Sequence, residues 1–195
     1  MDAVQRRVRP GRWGFTMIEL MTTIVIIGAL VAITLPRVDL ERFQVDTAAQ
    51  AIGTSLLTAQ REAVSRQHNV LVVFDTVTST IRTVWDANNN EIADGTEKSR
   101  AFQLPERVKF ARPSGIPARP SAPDRMSTMA QLAGKPMLVF QRSGSADRAA
   151  YLYVTTSRAL IYPSMAKSTR FIEIARATGR PNWWRYTGTA WERSF

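Results

Sequence analysis

Gly14-Phe15-Thr16-Met17-Ile18-Glu19-Leu20 opens an almost unbroken apolar run that continues through Ile24-Val25-Ile26-Ile27-Gly28-Ala29-Leu30 and ends at Leu35. From Phe15 to Leu35 there are 21 residues, and Glu19 is the only charged one. At about 1.5 Å per residue, a helix of that length is roughly 31 Å long, close to the ~30 Å hydrocarbon thickness of a bilayer. Arg6, Arg7, Arg9 and Arg12 precede the run, so the positive-inside rule keeps the N-terminus cytoplasmic and sends the remainder across. A carboxylate within such a helix costs about 2.5–3.5 kcal/mol on insertion scales, so Glu19 has a function by default. A secretory signal peptide fits less well, because its small-residue cleavage site follows the apolar core, whereas here a glycine precedes it.

The chain has 195 residues, which leaves about 160 beyond the apolar segment, enough for one globular domain with its own core. A 45% hydrophobic fraction supports a folded domain. Cysteine is absent, which excludes disulfide frameworks and thiol chemistry. The net charge is +10 and unevenly placed. Residues 1–97 hold 9 Lys/Arg against 11 Asp/Glu, and residues 98–195 hold 17 against 5. A basic second half suits an anionic partner such as nucleic acid, an acidic subunit or a phospholipid surface, or else a surface of solvated arginines.

After Pro36 the period stays helical but becomes amphipathic. Val45, Ala49, Ile52, Leu56, Ala59 and Ala63 form one stripe. The spacing predicts one long helix running to about Gln67, bent near Pro36, with residues 15–36 in the membrane and 37–68 as its amphipathic continuation. From Asn69 the period switches to two. Val70–Phe74, Thr80–Trp85, Arg100–Leu104, Arg107–Phe110, Met137–Phe140, Ala150–Val154, Phe171–Ala175 and Trp183–Tyr186 read as strands. Residues 113–136 carry five prolines and read as a long loop or mobile insertion. The expected fold class is α+β, a long N-terminal helix packed on two small antiparallel sheets within a β-rich domain over 69–195.

The opening segment, with Met21 through Pro36, resembles the prepilin signal of type IV pilins and type II secretion pseudopilins. That resemblance implies a leader, residues 1–14, removed by a prepilin peptidase between Gly14 and Phe15, with Phe15 then N-methylated. Glu19 becomes the fifth mature residue, where the family has its glutamate. Cleavage leaves a cationic amine on Phe15. In a filament of parallel subunits that amine can sit beside Glu19 of a neighbour, so that two costly charges neutralise each other. Further along, Leu138-Val139-Phe140-Gln141-Arg142-Ser143-Gly144 and Ile172-Glu173-Ile174-Ala175-Arg176-Ala177-Thr178-Gly179-Arg180 are similar to the GspH/FimT family of minor pseudopilins and minor pilins. The resemblance implies a non-enzymatic pilin-like subunit of a type II secretion pseudopilus or type IV pilus, without cofactors. It would be held in the inner membrane with its C-terminal domain periplasmic or extracytoplasmic. Its partners would be the prepilin peptidase, other pilin subunits, the assembly platform and membrane lipid.

FimT-type members are linked to DNA uptake through a C-terminal Gly-Arg-x-Arg motif. Here Gly179-Arg180-Pro181-Asn182-Trp183-Trp184-Arg185 keeps the glycine and first arginine and displaces the second. Arg176, Arg180 and Arg185 are candidate phosphate contacts and Trp183 or Trp184 a candidate stacking face, against a plainer reading in which the tryptophans cap the core. Asp86, Asn88, Asn90, Asp94 and Glu97 follow the oxygen spacing of a calcium loop, but Glu91 stands where that loop needs glycine, so a polar hairpin connection is favoured over a metal site. His68 is the only histidine and has no nucleophile or acid beside it in sequence, and no nucleotide or metalloprotease motif is present.

Overall fold

A computed structural model describes residues 14–34, 40–119 and 130–194. Most of the expected leader, the Pro36 bend and the middle of the proline-rich loop lie outside the described residues. The chain divides into two compact units, one up to Asp39 and the other Leu40–Phe195.

The first unit contains helix α1 (Met17–Thr34). Apolar side chains surround it, with Met17, Ile18, Met21, Ile24, Val25, Ile27 and Leu30 all exposed. The sequence reading puts a membrane span over 15–36. Among the described residues no helix is long and apolar enough to cross a membrane. The 18 residues of α1 rise about 27 Å, slightly less than the hydrocarbon thickness.

The second unit is α+β. Helix α2 (Leu40–Arg66) lies against two five-stranded antiparallel sheets. The first sheet has the order β3-β2-β1-β6-β5, from β1 (Asn69–Asp75), β2 (Thr80–Asp86), β3 (Ser99–Gln103), β5 (Ala130–Leu132) and β6 (Lys135–Phe140). The second has the order β10-β9-β8-β7-β4, from β4 (Val108–Phe110), β7 (Ala150–Thr156), β8 (Arg170–Ile174), β9 (Pro181–Tyr186) and β10 (Trp191–Arg193). A short 3-10 turn, Pro163–Ser168, precedes β8. The expected stripe on α2 is buried throughout, joined by Ala48 and Gly53. Helix α2 thus shares one core with the strands that follow it.

Strand alternation divides the interior. Val70, Val72 and Phe74 of β1 join Leu138, Phe140, Leu152, Val154, Ile172 and Ile174 in the core under α2. Leu71 and Val73 point the other way and pack with Val84, Met137 and Val139. On the outer face of the second sheet, Tyr153 and Phe171 gather Tyr151, Trp184 and Trp191. The segment around 112–119 crosses this face. Trp191 Nε1 donates to the Pro117 carbonyl at 2.9 Å, and the Arg119 guanidinium stacks on Trp184 at 3.5 Å and pairs with Glu173.

Polar fasteners tie α2 to both sheets along its length. Glu41 accepts from Arg158 Nη1 at 2.9 Å and from Thr156 Oγ1 at 3.2 Å, and Asp46 pairs with the buried Arg170. Gln60 Nε2 donates to the carbonyls of Gly144 and Thr178, and Glu62 accepts from Trp85 Nε1 at 2.7 Å. The domain thus has an entry end, with the loop 157–169, and a far end, with loops 87–98, 141–149 and 175–180.

Candidate assembly helix and surface sites

Thr16 starts α1. Its Oγ1 accepts the Glu19 N–H at 3.2 Å and its carbonyl accepts the Leu20 N–H at 3.1 Å, so Thr16-Met17-Ile18-Glu19 carries the Thr-x-x-Glu signature of a capping box. Glu19 lies in the first turn, where a negative charge also complements the helix dipole. The hydroxyls of Thr22 and Thr23 donate back to the carbonyls of Glu19 and Leu20 at 2.9 and 2.8 Å. Those two polar side chains are satisfied within the helix. The Glu19 carboxylate is left as the one charge on an otherwise apolar rod. Gly28 has open space where a Cβ would stand. Glycine in mid-helix costs about 1 kcal/mol relative to alanine, and no contact among the described residues explains it.

The residues of the proposed nucleic-acid site do not converge. Trp183 and Trp184 are consecutive on β9 and face opposite sides of the sheet. Trp183 turns inward, its Nε1 donating to the Ala49 carbonyl at 3.4 Å and its ring against Gly53. Trp184 turns outward, its ring covered by Arg119. Arg185 is paired with Glu192 at 3.0 Å. Arg176 and Arg180 remain exposed at the β8–β9 turn, beside the loop that carries exposed Arg142, because Ala146 N–H donates to the Arg176 carbonyl at 2.9 Å.

The oxygens of the calcium-like loop are directed at the loop itself. Buried Asp86 accepts the N–H groups of Asn90 at 3.0 Å and Glu91 at 2.8 Å. Glu97 accepts those of Ala87 and Asp94 at 3.0 and 3.1 Å. Asn88 and Asn90 each donate to Asp94 Oδ2, at 3.1 and 3.2 Å. The arrangement is a self-bonded hairpin connection, with Asn89 and Glu91 at positive φ supplying the turn. Among the described residues no group of three acidic, histidine or cysteine side chains is placed to hold a metal ion.

An exposed apolar group at the entry end is not singled out by sequence periodicity. Leu40 and Phe43 on α2 and Leu160, Ile161 and Tyr162 in the loop after β7 all face solvent. The two segments are brought together by the Glu41–Arg158 pair, a contact 117 residues apart in sequence.

The sequence matches no family profile and no curated protein. The chain is similar in structure to a minor pseudopilin. One solved structure of EpsH, the minor pseudopilin of the type II secretion system of Vibrio cholerae, aligns over 77% of this chain and 96% of its own, at 14% identity and a TM-score of 0.40. A second EpsH structure aligns over 78% and 97%, at 11% identity and a TM-score of 0.37. A likeness this distant says nothing of partners or activity.

Proposed function

We propose that the chain is a minor pilin or pseudopilin, a structural subunit of a type II secretion pseudopilus or type IV pilus. The observation that carries this reading is α1, a capped rod of exposed apolar side chains with a single carboxylate in its first turn. A helix that is apolar all round needs a membrane or a bundle of like helices to cover it, and a filament of parallel subunits supplies both in turn. Prepilin peptidase cuts between Gly14 and Phe15, and the new Phe15 amine of one subunit pairs with Glu19 of the next. Before assembly the subunit resides in the inner membrane, its N-terminus cytoplasmic and its sheet domain outside. Its role is assembly and not catalysis. Mass spectrometry of membranes from cells co-expressing the peptidase is expected to find a chain beginning at N-methylated Phe15. A chain still beginning at Met1 would overturn the reading.

A second reading, a DNA-binding minor pilin acting in DNA uptake, is favoured by the exposed neighbours Arg142, Arg176 and Arg180. These would contact phosphates, while both tryptophan rings are engaged elsewhere, so stacking contributes nothing. Binding to duplex DNA in a mobility-shift assay is expected to be salt-sensitive and to weaken in Arg176→Ala/Arg180→Ala. Absence of a shift at micromolar protein and low salt would remove it.

A further inference from the structure

We propose that the entry end of the sheet domain is a docking surface for an anionic phospholipid bilayer; this deepens, and rests on, the reading of α1 as a membrane anchor. Leu40 and Phe43 on the first turn of α2 are 63% and 68% exposed. Between them Glu41 is turned inward by Arg158 and Thr156, which draws the loop after β7 alongside. That loop closes on itself, the N–H groups of Ile161 and Tyr162 both donating to the Arg158 carbonyl at 3.0 and 2.8 Å. The closure buries Ala159 and leaves Ile161 70% and Tyr162 53% exposed. Apolar side chains from two segments distant in sequence are therefore left uncovered at one end of the domain, the kind of exposure that marks an interaction site.

The polar groups around the patch indicate what covers it. Arg107 is fixed beside the loop by its carbonyl, which accepts the Ser157 N–H at 2.8 Å, and its side chain is exposed. Lys167 is also exposed at this end of the domain. Among the described residues at this end, Glu41 pairs with Arg158 and Asp46 with Arg170, which leaves the exposed Arg107 and Lys167 against Glu106. Aliphatic and aromatic tips inside a basic rim match the boundary between acyl chains and anionic headgroups. The patch also sits where the chain enters the domain, with only residues 35–39 between Leu40 and the apolar α1. Docked in this way, the domain rests on the membrane before assembly and leaves it when the subunit is drawn into a filament.

The absence of cysteine makes a direct test available. The full chain is placed in nanodiscs, carrying a fluorophore at Ile161→Cys or, as a far-end control, at the exposed Ile92→Cys. In discs containing phosphatidylglycerol, the label at 161 is expected to be several-fold less accessible to acrylamide than the label at 92. The protection is expected to shrink in phosphatidylcholine discs and in Arg107→Glu/Lys167→Glu. Equal accessibility at both positions in an inserted chain would overturn the proposal while leaving the anchor reading intact. Failure of the chain to enter discs would overturn the anchor reading and this proposal with it. Protection that rises with the number of chains per disc, independent of lipid, would assign the patch to a second copy and overturn it too.

Discussion

At the scale of single residues, the sharpest constraint is between Gly53 and Trp183. A Cβ on Gly53 would stand 2.2 Å from the Trp183 ring, so the helix gives up a side chain to admit the indole. Helix propensity alone makes Gly53→Ala stabilising, whereas this geometry reverses the sign. Urea denaturation of Gly53→Ala is expected to show a loss of about 1–3 kcal/mol, the usual cost of overpacking. A gain would mean the ring is not seated there. Asp75 makes the second residue-scale case. The Lys135 ammonium at 2.6 Å, and then the Thr78 and Val77 groups, hold its carboxyl well below the usual carboxylate range. Because the folded value is lowered, the associated stability is complete above the ordinary aspartate value of about 3.9 and fades as pH falls toward the folded one. Asp75→Asn is therefore expected to be less stable at pH 7 and to lose less stability on acidification, as read from melts between pH 7 and pH 3. Legibility at this scale followed chemistry. Glu19 announces itself because a charge in an apolar run is costly wherever it lies. The Gly53–Trp183 contact is invisible, because nothing local marks which aromatic, 130 residues away, fills a helix notch.

At the scale of elements, α2 was readable to within a residue or two of its end, since eight buried positions recur at helical spacing. The central strands were equally plain, because Val70–Phe74 and Ala150–Val154 are bounded apolar runs. β5 and β10 were missed. Each has three residues, too few to show a period, and exists by pairing with a longer neighbour. The paired tryptophans show the same limit. Strand alternation sends Trp183 to the helix and Trp184 to the outer face, so a motif continuous in sequence is divided in space. For α1, the decisive variant is Glu19→Ala. It removes the carboxylate but keeps the apolar length and Thr16, so insertion into membranes is expected to persist while incorporation into surface filaments falls sharply. Fractionation and shearing of cells would measure both, and undiminished incorporation would refute pairing between Glu19 and a neighbour's Phe15 amine.

At the scale of the whole molecule, composition suggested one folded domain behind an apolar helix, and the chain divides into two compact units between Asp39 and Leu40. The excess of arginine in the second half was legible as charge but not as geography. Folding engages some of it structurally, in Arg170 against Asp46, Arg158 against Glu41 and Arg119 across the outer aromatic face. Among the others, Arg142, Arg176 and Arg180 lie exposed at one end of the domain and Arg107 and Lys167 at the other. Only the tertiary contacts decide which arginine does which, and those are set by strand pairing that a linear pattern does not contain.

The fasteners along α2 have a mechanical consequence. Tension applied at Leu40 enters the sheet domain through the first turn of α2. Glu41, Asp46, Gln60 and Glu62 grip the two sheets at successive levels of that axis. Tension on Leu40 therefore runs in shear through anchor points spread over some six helical turns, sharing the strain instead of unzipping them singly. A domain moored in this manner resists traction on its first helix at several points at once.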